Sequence, residues 1–299
     1  MVKQVSEVDP NFFRDAEEVL PYAVTHDAKL LAETASHAEA FCREFDEALG
    51  GRDSALVDMT RAPEEVLGNA LREAFGLPKS ALSDADAVAR LLDPQQSPYL
   101  GESLNLHTLS KGTRALELVH FTFKKKLSHS ADSQAQRHRM TPGARPVLYT
   151  QITPGKPDYV TPAVFEHDLA RDAKARYDDE MSRTWDDIAA LARGGARPEA
   201  WQYLLPNAVN VRFTETGSLL DMHHKWTTRL CYNAQEEIWR TTLDEVRQVS
   251  EKAPGLSAYL LPPCGLRDRA GQRPTCPEGE RFCGVKVWRL PRAQMLRVL

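Results

Sequence analysis

The strongest constraint on how this chain folds is a change of period at Val119. Upstream, apolar residues recur at helical spacing; over residues 119–124, Val119, Phe121 and Phe123 alternate with His120, Thr122 and Lys124. Side chains repeat every 3.6 residues around a helix and every two along a strand, so one segment cannot serve both patterns. The alternation predicts a half-buried strand, with Lys124-Lys125-Lys126 finishing it in solvent. Further strands are expected over 147–152 and over 207–214, where Val209, Val211 and Phe213 alternate.

Elsewhere the period is helical. Phe12, Ala16, Val19 and Leu20, then Leu30, Leu31 and Ala35, make residues 11–92 read as mostly helix. One helix is expected over 62–75, with Pro63 at its start and Gly76 and Pro78 beyond its end. Another is expected over 163–193, ending near Gly194-Gly195. Ser218 is a natural N-cap, with Asp221 in the first turn, for a long helix reaching about residue 252. Its apolar stripe would be Leu219, Met222, Trp226, Leu230, Ala234 and Ile238. The expected fold class is therefore α+β, helix-rich, with a modest central sheet and a long C-terminal helix. One continuous domain over 1–299 is expected: a helical N-terminal elaboration (1–100), a core (101–254) and a cysteine- and proline-rich tail (255–299).

A formal net charge of −4 argues against a general binder of nucleic acid or membrane surfaces, so any anion site must be local. The first residues lack the apolar stretch of a signal peptide, and no run approaches the length of a membrane span. Five cysteines, an odd number, suit a reducing cytoplasm better than a disulfide framework. Cys264, Cys276 and Cys283 lie close together in the tail without a Cys-x-x-Cys knuckle. No metal is assigned to the chain, and these three are weak zinc candidates, with Cys231 or a histidine as fourth ligand. Buried free thiols or a redox pair are the alternatives.

The local anion site is best sought in Gln134-Ala135-Gln136-Arg137-His138-Arg139, where helical spacing would put Gln134, Arg137 and His138 on one face. Arginine forks suit phosphate or a ring carbonyl, a glutamine amide reads a polar heterocycle edge, and histidine is a switchable donor. Thr141-Pro142-Gly143 would stop the helix and leave the cations at its C-terminal end. A solvated surface cluster is the plain alternative.

Three blocks in order resemble the flavin-dependent thymidylate synthase (ThyX) family. Residues 116–123, Leu-Glu-Leu-Val-His-Phe-Thr-Phe, are similar to its Glu-His-x-x-Phe-Thr-Phe strand. Gln134-x-x-Arg137-His138-Arg139 is similar to its Gln-x-x-Arg-His-Arg signature. Leu204-Leu205-Pro206, Arg229-Leu230 and 234–238 (Ala-Gln-Glu-Glu-Ile) keep the spacing of its third block. The resemblance implies a ThyX-like fold and a homotetramer with active sites between subunits. It implies FAD reduced by NADPH, and transfer of a methylene group from methylenetetrahydrofolate to C5 of dUMP without a cysteine nucleophile. By position, it places Gln134 and Arg137 on the nucleotide, and Arg137, His138 and Arg139 on the flavin. Arg229 would stabilise the pyrimidine anion after proton loss at N3; a helix-surface arginine paired with an acid is its plain alternative. Thr113 stands near a Ser/Thr flavin contact.

Departures from the pattern follow. Residues 140–147, Met-Thr-Pro-Gly-Ala-Arg-Pro-Val, replace a Ser-x-Asn-Glu-x-Ser-x-Arg-like run, with Arg145 at its acidic position. Gln202 replaces an arginine that would hold the nucleotide phosphate, and Arg145 is the candidate to replace that contact. Ser218, Leu220 and His224 replace Asn, Arg and Asn flavin contacts; His224 can still donate a hydrogen bond, whereas Leu220 cannot. Three functions stay open: a dUMP methylase with a reshaped pocket, a methylase of another uracil nucleotide, and a non-catalytic nucleotide-binding or assembly subunit.

Overall fold

The computed structural model describes residues 4, 7–9, 26–34, 37–97, 100 and 110–297. Phe12, Ala16, Val19, Leu20 and Ala35 lie outside them; Leu30 and Leu31 fall in α1 (His26–Thr34). Four strands form one antiparallel sheet in the order β1-β2-β4-β3: β1 (Ser54–Met59), β2 (His120–Ser128), β3 (Gly143–Ala144) and β4 (Asn210–Ser218). Helices precede and follow it: α2 (Ala38–Leu49), α3 (Pro63–Phe75), α4 (Asp84–Leu92), α5 (His129–Ala135), α6 (Arg171–Arg193), α7 (Pro198–Trp201), α8 (Leu219–Arg229), α9 (Glu236–Lys252), α10 (Pro254–Ser257) and α11 (Pro263–Arg269). The α+β expectation therefore holds. None of the described helices is long and apolar enough to cross a membrane.

The centre of the sheet is the β2–β4 pair, in register from His120↔Ser218 to Ser128↔Asn210. Phe121 and Phe123 leave the same face of β2 and meet Trp226 of α8 edge-on, with ring centroids 5.3 and 6.3 Å apart. Such pairs add about 0.5–1.5 kcal/mol beyond area burial. Leu219, Met222, Leu243, Val246 and Val249 complete this layer, and Leu67, Leu71, Val88 and Leu92 pack in from α3 and α4. The tail joins the same core through Val287 and Met295. Arg269 clamps it further, with Nε and Nη2 each 2.8 Å from an Asp93 oxygen.

The helix over 62–75 forms as expected, with Pro63 in its first turn and Gly76 left-handed at φ 64° past its end. The helix ending at Gly194 also forms, preceded by two short 3-10 turns. Four expectations need correction. Residues 54–59 are not helical but form β1, because β2 offers them a ladder and Gln248 of α9 covers their outer edge: Leu56 N donates to Gln248 Oε1 (2.9 Å), and Gln248 Nε2 donates to Ser54 O (2.9 Å). Residues 147–152 are not a strand but a 3-10 turn, Leu148–Gln151. There Gln151 does with its side-chain amide what a strand would do with its backbone: it bonds both the carbonyl and the N–H of Arg212 at 2.8 Å.

The lysine run does not finish β2 in solvent. Lys125 is buried, with its ammonium 2.8 Å from Glu215 and 2.7 Å from Glu245. Finally, the single long helix from Ser218 is broken between α8 and α9, although all six stripe residues are buried. No Pro or Gly interrupts residues 230–235; the tail holds the break open instead. Tyr232 Oη donates to Leu296 O (3.1 Å), Asn233 Nδ2 donates to Arg281 O (2.6 Å), and Arg297 donates to Ala234 O.

His223, buried on α8, gives a pH test of this packing. Its ring nitrogen lies 3.1 Å from the Tyr259 carbonyl, which can only accept, so the neutral ring donates. Burial pushes its pKa down to about 4 from an ordinary 6.5. Between those values the unfolded chain binds a proton that the folded chain refuses. Stability is thus complete above the unfolded value and falls as pH drops toward the folded one, by about 2 kcal/mol at pH 5. His223→Gln keeps a donor that does not titrate, so its Tm should depend less on pH from 6.5 down to 4 than that of the wild type; parallel curves would exclude His223 as the cause.

Candidate functional site

Two strand–serine–helix units build the candidate site. β2 runs into Ser128, whose Oγ accepts from Ala131 N (3.0 Å) and caps α5. β4 runs into Ser218, whose Oγ accepts from Asp221 N (3.3 Å) and caps α8. Ser128 is tied down further by Glu237 of α9, which accepts from its N–H and its hydroxyl, both at 2.6 Å. Because β2 and β4 are antiparallel, α5 and α8 start at opposite ends of the strand pair, and their C-terminal ends meet. The joint is Arg229 Nη2 donating to Gln134 O at 2.8 Å. A helix C-terminus carries partial negative charge, which favours cations at both of these ends.

The cations follow at once, but not on a helix. α5 ends at Ala135, and residues 136–141 form a turn closed by Arg137 N to Gln134 O (3.2 Å), His138 N to Ala135 O (3.1 Å) and Thr141 N to His138 O (3.2 Å). The expected single helical face for Gln134, Arg137 and His138 is thus replaced by a tight corner leading to β3. Arg137 and Arg139 point to solvent, His138 is half-buried, and its ring lies 5.5 Å from that of His224. The Thr228 hydroxyl donates back to α8 carbonyls, which leaves its oxygen to accept from His138 Nε2 at 3.4 Å. Burial, then the charges of Arg229 and Lys225, push His138 down to about 3, so it is a neutral donor near pH 7.

Charge is unevenly satisfied around this corner. The two fully buried arginines among the described residues are paired with carboxylates, Arg212 with Asp46 and Asp158 and Arg72 with Asp84, and the half-buried Arg269 meets Asp93. Arg137, Arg139 and Arg229 meet no carboxylate among the described residues. Burial and the Arg137 charge both lower the pKa of Arg229, as expected for guanidiniums sharing a small space. Gln134 Oε1 and Arg229 Nε are buried without a hydrogen-bond partner. An orphaned buried polar atom costs about 1–3 kcal/mol, which an anionic ligand with polar edges would recover.

A neutralised network lies directly beneath. Glu215 of β4 accepts from Lys125 (2.8 Å), from Lys225 of α8, and from the Thr141 hydroxyl of the turn (2.7 Å). Glu245 of α9 accepts from Lys125 (2.7 Å), Ser54 (2.9 Å) and Trp226 Nε1 (2.9 Å). Burial alone would raise Glu215, but the two lysines overcome it and hold the carboxyl far below its usual range. Lys225 is lowered to about 8, by burial first and then by Lys125.

A family model described as thymidylate synthase complementing protein (Thy1) matches residues 55–255, about two thirds of the chain. The chain belongs to that family. Among curated thymidylate synthase relatives, the flavin-dependent thymidylate synthase of Geobacter sulfurreducens is 28% identical over 239 residues, covering 77% of this chain and 93% of that protein. The flavin-dependent thymidylate synthase of Saccharolobus solfataricus is 27% identical over 158 residues, 51% of this chain; the match spans 58% of that relative's length.

Within this Thy1-family framework, Gln134, Arg137, His138, Arg139, His224 and Arg229 are brought together at one corner. Arg145 stands apart from their charge: its Nε lies 3.0 Å from Asp132, and its guanidinium stacks 4.7 Å over Phe213, with Nη2 buried and unpartnered. Thr113 opens the 3-10 turn Thr113–Leu118 and lines another hollow, with Leu71, Phe75 and Leu91. Gln202 bonds only locally, to Glu199 O at 3.3 Å. Leu220 is buried in the core, and Ser218 is occupied as a cap. Cys264, Cys276 and Cys283 line a separate hollow with Cys231.

Sequence reading missed Lys125, Glu215, Lys225 and Thr141, yet a signal was present. Continuing the alternation Val119, Phe121, Phe123 reaches Lys125, and continuing Val211, Phe213 reaches Glu215. Two opposite charges on the buried faces of adjacent strands are a pair waiting to be recognised. Glu215→Gln should leave two buried ammonium groups undercompensated and destabilise the protein by about 3–5 kcal/mol. Urea unfolding measures this, and an unchanged midpoint with unchanged m-value would show that the network is not needed for stability.

Proposed function

We propose that this protein catalyses FAD-dependent C5 methylation of a uracil nucleotide, dUMP to dTMP, with methylenetetrahydrofolate and NADPH as cosubstrates. The observation that carries the proposal is the convergence of Arg137, Arg139 and Arg229, without carboxylate partners, beside the orphaned Gln134 Oε1 and Arg229 Nε. Family membership and the names of the two relatives support it.

The donor set fits two anionic ligands. Arg137 and Arg139 suit phosphate oxygens, which arginine meets with two parallel N–H bonds. Gln134 Oε1 suits a ring N–H, and neutral His138, whose Nε2–H is given to Thr228, leaves Nδ1 to accept from a ligand donor, with the His224 ring beside it. Arg137, His138, Arg139 and His224 would hold the flavin, which when bound supplies the reducing equivalents that turn the transferred methylene into a methyl. Arg229 faces the pyrimidine: its half-buried charge favours the anion left by proton loss at N3, and thereby electron density at C5. Its bond to Gln134 O fixes its orientation before any ligand arrives. Arg145 contributes through Nη2, the part of its guanidinium not committed to Asp132. With Arg137 and Arg139 exposed, one chain presents a basic corner and not an enclosed pocket, which agrees with a homotetramer whose sites are completed between subunits. Thr113, which lines a different hollow of the same chain, would serve such a shared site from a neighbouring subunit.

A second reading, a family member that methylates another uracil nucleotide or only binds one, is favoured by the buried Leu220, the locally bonded Gln202 and the Arg145–Asp132 pair. Spectra separate the two. Purified protein should be yellow or take up added FAD, and dUMP should perturb the flavin bands more than UMP does. Protein that binds nucleotide but takes up no FAD would establish a member that only binds, and flavin bands that UMP perturbs more than dUMP would establish a methylase of another uracil nucleotide. Arg229→Ala should retain the fold and lower tritium release from C5-labelled dUMP by about 10²–10³-fold, the cost of losing one donor aimed at developing charge; unchanged release would remove Arg229 from the mechanism.

A further inference from the structure

Four of the five cysteines line one hollow: Cys231 from the α8–α9 connection, and Cys264, Cys276 and Cys283 from the tail. The fifth, Cys42, lies elsewhere, with its Sγ 3.4 Å from the Gln151 carbonyl. All four are free and half-buried, and the space between them is that of an ion or a water. Three of the four lie beyond residue 255, where the family match ends.

The segment that carries them has little else to order it. Residues 270–286 contain one 3-10 turn, Gly279–Arg281, and are mostly exposed. Gly279 and Gly284 turn the chain with φ of 56° and 80°, the second directly after Cys283. Loop-rich segments without a core of their own are usually held by disulfides or a structural metal. Most of the hollow's other lining is apolar, with Pro262, Pro263 and Val287 among it, and Asn233 and Glu278 are its polar members.

We propose that Cys231, Cys264, Cys276 and Cys283 form a structural zinc site that fastens the tail to the connection following Arg229. A four-thiolate set is the closed, tetrahedral type of zinc site, with metal–sulfur distances of about 2.3 Å. No three of the described side chains are placed to hold an ion as they stand. Closure takes rotation about χ1, which moves a sulfur by about 3 Å between staggered positions. The thiols surrender their protons as they bind, so the site fills near neutral pH and empties in acid. Its position gives it a role. The tail already bonds Tyr232, Asn233 and Ala234, and a metal on Cys231 would lock the break between α8 and α9 from which Arg229 reaches Gln134.

The test needs neither flavin nor nucleotide. The full chain, purified under reducing conditions, should carry about one zinc per chain by elemental analysis. Cys276→Ser and Cys283→Ser should each lose most of it, Cys42→Ser should retain it, and a zinc chelator should lower the wild-type Tm. Cobalt(II) added to stripped protein should give thiolate-to-metal charge-transfer bands and intense tetrahedral visible bands. Should a serine variant fail to fold, thiol titration of the wild type still decides. Four thiols protected until chelator is added support the site. Rapid reaction of all four without chelator, or a disulfide mass change, overturns it.

Discussion

Lys125, Glu215, Lys225 and Glu245 form a buried, charge-neutral set on which the rest of the molecule depends. Each ion alone would cost several kcal/mol to remove from water, and the set is tolerable only with every partner in place. Its members come from β2, β4, α8 and α9, and Ser54 of β1 and Thr141 of the Arg-His-Arg turn donate into it. The sheet, the two helices that follow β4 and the corner carrying the cations are therefore fixed relative to one another by one polar knot within an aromatic layer.

That arrangement explains why the neighbouring arginines remain available. The carboxylates nearest the corner are taken: Glu215 by two lysines and a hydroxyl, Asp132 by Arg145 and Gln136. Arg137, Arg139 and Arg229 are left beside two helix C-termini with no internal counter-charge among the described residues. Positive potential is thus concentrated on an acidic protein without making the whole surface basic. A neutral His138 and the orphaned side-chain oxygen of Gln134 add directional bonding to that charge. Charge and direction together are what a nucleotide or a flavin diphosphate requires of a site.

The tail makes the same point by a different route. It contributes Val287 and Met295 to the main core, clamps Asp93 through Arg269, and bonds the connection that separates α8 from α9. A break without proline or glycine persists because the side chains of Tyr232 and Asn233 and the carbonyl of Ala234 find partners on the tail. The zinc site inferred above would strengthen this contact at the residue two beyond Arg229.

Sequence alone determined what is local. The period switch at Val119 named β2, Ser218 announced the start of α8, Pro63 and Gly76 bounded α3, and Gln134-x-x-Arg137-His138-Arg139 marked the corner. These are legible because dihedral preferences, caps and side-chain periods act within a few residues. Tertiary structure decided what depends on partners far along the chain. Lys125 is buried because Glu215 lies 90 residues away to meet it, and residues 54–59 extend because β2 and Gln248 pair with them. Gln151 replaces a strand because the Arg212 backbone is within reach of its amide, and α8 stops because the tail returns to hold the break. In each case an inter-element bond, made where water is excluded, outweighed a local preference worth less than about 1 kcal/mol per residue.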